Sequence, residues 1–122
     1  NRSDYAGLLM FANCLLFQDK YALAEKVVST ARHVYPEEAN ALHVFGVCRL
    51  ARKRYASALR AFQAYEQKLA GNPGNTFLQG LCFEGMQQIR QAAGKYSRFL
   101  QVVTQGEQAR YAYGRLKEWG YI

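Results

Sequence analysis

The chain has 122 residues, enough for one domain that buries most of the surface its unfolded form exposes. Half of the residues are hydrophobic, only two are proline, and good helix formers dominate, which predicts a mostly helical fold. The net charge of +7 is compatible with an acidic partner, nucleic acid, an anionic membrane surface or plain solubility. No apolar run is long enough to cross a bilayer, and residues 1–4 lack the layout of a signal peptide. A start at Asn1 suggests a mature or excised fragment.

A shift of 34 residues superimposes the sequence on itself. Several columns of residues agree at this spacing: Ala24, Ala58 and Ala92; Ala12, Gly46 and Gly80; Val28, Phe62 and Tyr96; Tyr21, Tyr55 and Ile89; and Cys14, Cys48 and Cys82. Agreement of five columns indicates three copies of one structural unit.

Each unit contains two apolar runs at helical spacing. They predict helices over residues 5–18 and 20–34, 39–52 and 54–70, and 75–87 and 89–103. The segment Pro36-Glu37-Glu38 suits the opening of a helix, because proline and acidic residues are favoured in a first turn. The segment 72–75, Asn-Pro-Gly-Asn, is typical of a turn.

A seventh helix is predicted after the third unit. Thr104 and Glu107 have the spacing of a capping box, in which both side chains satisfy free N–H groups at a helix start. The apolar positions expected to pack are Ala109, Ala112, Tyr113, Leu116 and Trp119, with Arg110, Arg115 and Lys117 off that face. Such a helix would cap the exposed end of a repeat array.

In the second unit, the pattern Leu42-x-x-Phe45-Gly46 and the pattern Tyr55-x-x-Ala58-x-x-x-Phe62 resemble the two helix signatures of the tetratricopeptide repeat. In the first unit, Pro36 matches the family's terminal proline. The resemblance covers residues 5–106. It implies an all-α, right-handed superhelix of three helical hairpins in residues 1–106, with units at about 5–38, 39–72 and 73–106, and a capping helix and tail at 107–122.

The sequence departs from the family pattern in two places. Arg49 replaces an expected aromatic residue, and Thr76 and Gln79 stand where the third unit should be apolar. These polar residues leave open a rotation of about one residue in the first helix of the third unit, so the sequence does not fix which of its residues face the groove.

The resemblance also implies a concave, ligand-facing surface formed by the first helix of each unit. The expected partner-binding residues are Leu9, Met10, Asn13, Phe17, Asn40, His43, Val44, Val47, Leu50, Leu78 and Leu81; the wider set of concave positions includes Ala51, Glu84 and Gly85. This lining is largely apolar, which favours a hydrophobic peptide segment or an amphipathic helix as the partner. The clamp with which some relatives read acidic chaperone tails is disfavoured, because only Asn13 matches it.

Catalytic and metal-binding patterns are not found in the sequence. Neither histidine, His33 or His43, has a second ligand or a carboxylate at a recognised catalytic spacing, and the cysteines form no C-x-x-C pair. We therefore expect a non-enzyme without cofactor, metal or small-molecule substrate. The cysteine column is expected to be a buried packing position, and its unpaired thiols favour a reducing compartment such as the cytoplasm.

Two alternatives remain at this stage. The stretches 77–81, 84–86, 96–100 and 109–121 resemble the tail of bacterial zinc-metalloprotease proteins, which implies a regulatory or substrate-recruiting module of the cell envelope. A basic edge formed by Arg49, Arg52, Lys53 and Arg54, with nearby aromatic residues, would suit an RNA-binding repeat. The aromatic residues recur at core positions of the repeat, which already explains their spacing, so nucleic acid is the less favoured partner.

Overall fold

The computed structural model describes residues 2–122, with side chains from Asp4 onward; residue 1, where the predicted repeat region begins, lies outside the described residues. Within this range the chain forms no strand and seven helices: α1 Arg2–Phe17, α2 Tyr21–Val34, α3 Ala39–Ala51, α4 Tyr55–Lys68, α5 Pro73–Gly85, α6 Ile89–Leu100 and α7 Glu107–Glu118. The predicted all-α fold is confirmed.

The helices pack as neighbours along the chain. The pairs α1/α2, α3/α4 and α5/α6 form antiparallel hairpins, while α2 contacts α3, α4 contacts α5, and α7 contacts α6. Stacking of hairpins onto sequential neighbours is the architecture of a helical solenoid. The division into units at residues 38/39 and 72/73 stays a prediction.

The turn inside each hairpin is built in the same way three times. One residue in each turn has a positive φ of about 60°, namely Asp19, Lys53 and Gln87, which lie 34 residues apart. In the second hairpin the next N–H, that of Arg54, donates to the carbonyl oxygen of Arg49 at 2.9 Å, and the equivalent bond has the same length in the other two. This arrangement is a Schellman-type helix end, formed here without glycine.

Two proline segments exchange the roles that the sequence predicted. Pro36 lies in a turn and α3 begins only at Ala39, whereas Pro73 is the first residue of α5. The Asn72 side chain accepts a hydrogen bond from the Asn75 N–H at 3.3 Å, so Asn72 caps the helix that Pro73 opens. The predicted start of α3 at residue 39 is confirmed, although Pro36 lies before its first turn; the prediction of a turn at 72–75 is wrong, because α5 already begins at Pro73.

The predicted capping box before α7 is also wrong. The helix begins at Glu107, its N-cap is Gly106 with φ 104°, and no side chain bonds to the cap. A capping box needs Thr104 as N-cap and Glu107 three residues into the helix, and the later helix start removes that spacing.

Close packing between the two helices of a hairpin fixes the rotation of α5. A Cβ atom at Gly46 would lie 2.5 Å from the Phe62 ring, and one at Gly80 would lie 2.5 Å from the Tyr96 ring. The third hairpin thus repeats the contact of the second hairpin at the same positions. The one-residue rotation that the sequence left open is therefore not observed in α5.

Two polar residues of α5 are buried and hydrogen-bonded: Gln79, one of the pair that departed from the family pattern, and Asn75. Asn75 donates to the Phe62 carbonyl oxygen at 3.1 Å, and Gln79 donates to the Glu66 carboxylate at 3.3 Å. Their partners lie on α4, so amide groups at these positions join the second hairpin to the third. Polar residues can therefore occupy packed positions of α5, because α4 offers hydrogen-bond acceptors to them.

The C-terminal helix packs on the third hairpin through Ala109, Ala112 and Leu116, which are buried. Tyr113 is 49% exposed, and the expectation that it packs was wrong. Arg115, expected on the wet face, is partly buried against the Trp119 ring and the Glu84 carboxylate. The packed face of α7 is therefore rotated from Tyr113 toward Arg115.

Candidate binding cleft

A cleft of about 300 Å³ lies between the C-terminal ends of α3 and α5 and is bordered by α7. Its lining comes from four helices and one turn: Leu50, Ala51, Lys53, Tyr55, Leu81, Glu84, Gly85 and Tyr111. The cleft thus joins consecutive hairpins and the C-terminal helix at one surface.

The apolar part of the cleft is supported by two core clusters. Leu50 packs against the cluster formed by Ala58, Phe62 and Cys82, and Leu81 packs against the C-terminal core around Phe77. Both leucines are only partly buried, so each presents some side-chain surface to the cleft. Anchored side chains of this kind offer an apolar surface at little cost in side-chain entropy on binding.

One wall of the cleft depends on the absence of a side chain. The ring of Tyr55, at the start of α4, lies against the backbone of Gly85 at the end of α5, where a Cβ atom would overlap the ring. Gly85 therefore lets the Tyr55 ring reach the cleft from the preceding hairpin.

Glu84 is held by two hydroxyl donors and one guanidinium group. The hydroxyl groups of Tyr96 and Tyr111 donate to its carboxylate at 2.7 and 2.9 Å, and Arg115 lies 3.1 Å away through Nε. Burial, followed by these hydrogen bonds, raises the pKa of both tyrosines. The carboxylate thus ties α5 to α6 and α7, and its charge is neutralised by Arg115.

Lys53 supplies the positive charge at the rim. It is exposed, and no carboxylate of the described residues forms an ion pair with it. The cleft therefore combines an apolar floor with one accessible ammonium group.

Only some of the predicted partner-binding residues line this cleft. Leu50 and Leu81 line the cleft, whereas Val47 and Leu78 pack beneath it against the cluster that contains Cys82. Val44 is only 8% exposed in the N-terminal core, with Leu9 partly buried beside it. Val44 is thus a core residue, which corrects its assignment to an open groove.

The remaining predicted residues lie away from the cleft. Asn40 borders a separate depression with Glu37 and Lys68, and Met10, Asn13 and Phe17 are exposed on α1. Whether any of them contacts a partner stays a prediction.

His43 packs within the second hairpin. Its ring lies 5.8 Å from the ring of Phe62 and 5.4 Å from the ring of Tyr65, measured between centroids. Burial lowers the pKa of His43, so the imidazole is neutral at pH 7. Aromatic packing accounts for this histidine, and its role as a partner contact stays a prediction.

Two lining residues were missed by the sequence analysis, and a third was predicted for another surface. Tyr55 was assigned to a packing column, and Tyr111 belongs to α7, outside the repeated pattern. Lys53 was predicted only as part of the basic edge. The concave positions of the repeat did include Ala51, Glu84 and Gly85, so the family pattern identified those parts of the cleft.

The basic edge is partly neutralised. Glu25 pairs with Arg49 at 2.9 Å and with Arg52 at 3.2 Å, and the guanidinium groups of Arg32 and Arg49 lie over the Phe45 ring at 4.7 and 4.8 Å. Of the four cations that defined this edge, two are therefore used in contacts between α2 and α3. This weakens the electrostatic case for nucleic-acid binding.

The three cysteines do not share one environment. Cys48 and Cys82 are fully buried, and burial raises the pKa of their thiols to about 11 and about 12, respectively. Cys14 is exposed, so the prediction of a uniformly buried column is wrong for the first unit. Cys82 packs on α4 and Cys48 lies in the core that includes α2, but no described helix precedes α1.

Comparison with solved structures identifies the fold. The TPR domain of Arabidopsis OM64 superimposes with a TM-score of 0.85 at 15% identity, covering 95% of this chain and 96% of that domain. The Yersinia enterocolitica type III secretion translocator chaperone SycD gives 0.82 at 15% identity, covering 97% and 91%. A tetratricopeptide repeat protein from Parabacteroides merdae gives 0.76 at 17% identity, covering 93% of this chain and 44% of that protein.

These likenesses confirm the tetratricopeptide-repeat superhelix that the sequence predicted. No family model and no curated protein matches the sequence. Along residues 2–122, no helix is both long and apolar enough to cross a membrane.

Proposed function

We propose that the chain is a protein-interaction module whose cleft binds a hydrophobic peptide segment or one face of an amphipathic helix. The observation that carries this proposal is the pairing of Leu50 and Leu81, from successive hairpins, on one anchored apolar floor. Exposed apolar surface in a concave setting is typical of a peptide-binding groove.

The size of the cleft limits what it holds. A volume of about 300 Å³ is at the lower end of the range of small-molecule pockets. It suits one or two apolar side chains of an extended or helical segment, with the rest of the segment lying along the surface. The partner is thus a polypeptide anchored at few points.

The charge of the rim favours a particular class of segment. Lys53 has no acidic partner among the residues described, whereas the charge of Glu84 is balanced by Arg115. A carboxylate near the apolar anchor would complement Lys53 and exclude basic competitors. We expect preferred segments to carry one or two large apolar residues followed or preceded by an acidic residue.

The structural neighbours agree with a polypeptide as the class of partner. SycD, with which this chain shares its fold, is a translocator chaperone. The assignment to a bacterial envelope metalloprotease rests on the sequence likeness alone and is a narrower proposal about the same module. A zinc-protease motif in the same reading frame would support it.

Peptide selection tests the proposed function directly. A phage-displayed library of random peptides is selected on the folded protein, and the affinity of the enriched peptides is measured by fluorescence anisotropy. Ala51→Glu places a carboxylate beside the apolar floor, and Lys53→Glu reverses the rim charge. Each is expected to weaken binding at least about tenfold, the change that corresponds to about 1.4 kcal/mol.

Val102→Glu is the matched control, because Val102 is exposed and outside the cleft. It should leave affinity unchanged. Enriched peptides whose affinity is the same in both cleft variants and in the control would show that the function lies on another surface.

A further inference from the structure

Helix α1 has a second apolar face that nothing in the described chain covers. This face, called the α1 outer face below, consists of Gly7, Met10, Phe11 and Cys14, which lie on one side at helical spacing. Met10 is 69% and Phe11 is 53% exposed. The opposite side of α1 already contributes to the N-terminal core. A helix that is apolar on all sides is normally covered on all sides.

The second hairpin shows how the same face is used when a neighbour is present. The positions 34 residues further on are Ala41, Val44, Phe45 and Cys48 in α3, and three of them are buried in the core that includes Ala24, Val28 and Ala31 of α2. The equivalent face of α3 is thus an interface for a helix. The α1 outer face offers the same arrangement of residues, and no helix of residues 2–122 covers it.

Charge does not oppose contact between two copies at this face. No charged residue occurs from Tyr5 to Gln18, although the whole chain carries +7. Two copies can therefore meet here without placing like charges at the centre of the contact.

The face is also complementary to itself in the antiparallel direction. When two α1 helices cross a two-fold axis between residues 10 and 11, Gly7 lies opposite Cys14 of the second copy, while Met10 meets Met10 of the second copy on one side of the seam and Phe11 meets Phe11 on the other. Small residues at both ends allow close approach, and the large residues meet at the centre. A pattern that reads the same in both directions is what an isologous dimer requires.

We propose that two copies of this chain dimerise through the α1 outer face, with the two α1 helices antiparallel. A contact made by one helix from each copy is smaller than the standard interface of about 1,600 Å². The dimer is therefore reversible, and its population rises with protein concentration. It leaves the cleft on α3 and α5 free, so the two sites are tested independently.

Sedimentation velocity over a wide range of protein concentration tests the dimer. The weight-average mass of the wild-type chain is expected to rise toward twice that of the monomer. Phe11→Glu should remain monomeric and folded, because its side chain is exposed in the monomer. Val102→Glu introduces the same charge at an exposed valine far from α1, and this variant should dimerise as the wild type does.

Disulfide trapping tests the antiparallel geometry. Gly7→Cys is expected to form intermolecular bonds to the native Cys14 on mild oxidation, because these positions face each other across the two-fold axis. No atom lies within 4 Å of a Cβ at Gly7, so the monomer tolerates this change. In the wild type, the two Cys14 residues are separated along the helix axis by about 10 Å, seven residues at 1.5 Å each, which is too far for a disulfide.

A wild-type chain that stays monomeric at every concentration, together with a Gly7→Cys variant that forms no covalent dimer, would overturn the proposal. So would concentration-dependent dimers that are unaffected by Phe11→Glu. Efficient linkage of wild-type chains through Cys14 would overturn the antiparallel arrangement.

Discussion

The two ends of the superhelix are finished differently. At the C-terminal end, α7 covers the third hairpin, and the Trp119 ring stacks on the Tyr96 ring with centroids 6.0 Å apart. At the N-terminal end, the α1 outer face exposes Met10, Phe11 and Cys14. The comparison shows that burial in a repeat protein is set by the neighbour present in space, because one sequence column contains both exposed and buried residues.

Thiol chemistry gives the largest contrast between the open end and the interior. In dilute native protein, Cys14 should react with a thiol reagent faster than Cys48 and Cys82 by orders of magnitude. The interior thiols are sterically inaccessible, and their raised pKa values leave almost no thiolate at neutral pH. The measurement is the rate and number of thiols modified per chain.

Cys14→Ser provides the control, since it should remove the rapid phase completely. Rapid modification of two or three thiols in folded protein would contradict the difference between α1 and the inner helices.

Replacing a glycine by alanine should have opposite effects on stability at a packed helix surface and at an open one. Gly80→Ala forces a Cβ atom toward the Tyr96 ring and should destabilise the fold by about 1–3 kcal/mol, as overpacking usually does. Gly7→Ala, on the α1 outer face, meets no atom within 4 Å and should stabilise dilute protein by about 0.5–1 kcal/mol through helix propensity. Urea unfolding monitored by circular dichroism measures both, and a change of the same sign would contradict this assignment.

The closed end should depend on the carboxylate of Glu84. Glu84→Gln removes the charge that pairs with Arg115 and weakens the hydrogen bonds from Tyr96 and Tyr111, so we expect a loss of about 2 kcal/mol. The single tryptophan, Trp119, reports on this end by fluorescence during urea unfolding.

Glu118→Gln is the matched control for the closed end. It removes the other partner of Arg115, which lies on an exposed side chain, and should cost less than about 1 kcal/mol. Equal losses in the two variants would mean that the Glu84 network does not stabilise the closed end.

The smallest expected effect concerns the hairpin turns near the two ends. Gln87→Gly, at φ 60°, should raise stability by up to about 1 kcal/mol, because glycine adopts this conformation without a steric penalty. Asp19→Gly should gain less, since aspartate tolerates positive φ better and Asp19 also accepts a hydrogen bond from Tyr21 at 2.8 Å. Thermal melting of both variants measures the difference, and a larger gain at Asp19 would contradict it.

Sequence periodicity predicted the architecture because the packing contacts themselves repeat. Gly46 with Phe62 and Gly80 with Tyr96 are the same contact in successive hairpins, and a 34-residue shift reveals both. The predicted helix boundaries lie within about three residues of the observed ones. The order of the seven helices could therefore be obtained from the sequence alone.

Features that depend on a particular neighbour could not be predicted in this way. Cys14 has the sequence environment of Cys48, but no helix of residues 2–122 packs over it. Val44 is drawn into the N-terminal core, although its column suggests an open groove. Tyr111 enters the cleft from α7, which lies outside the repeat, so the pattern contained no signal for it.

Amide chemical shifts of ¹⁵N-labelled protein, titrated with a peptide selected on the folded chain, test the central claim most directly. The account predicts that the largest shift changes occur at Ala51, Lys53 and Gly85, around the cleft, while the amides of Met10 and Phe11 are unaffected. Shift changes confined to α1, with those cleft amides unchanged at saturation, would contradict the assignment of the binding site.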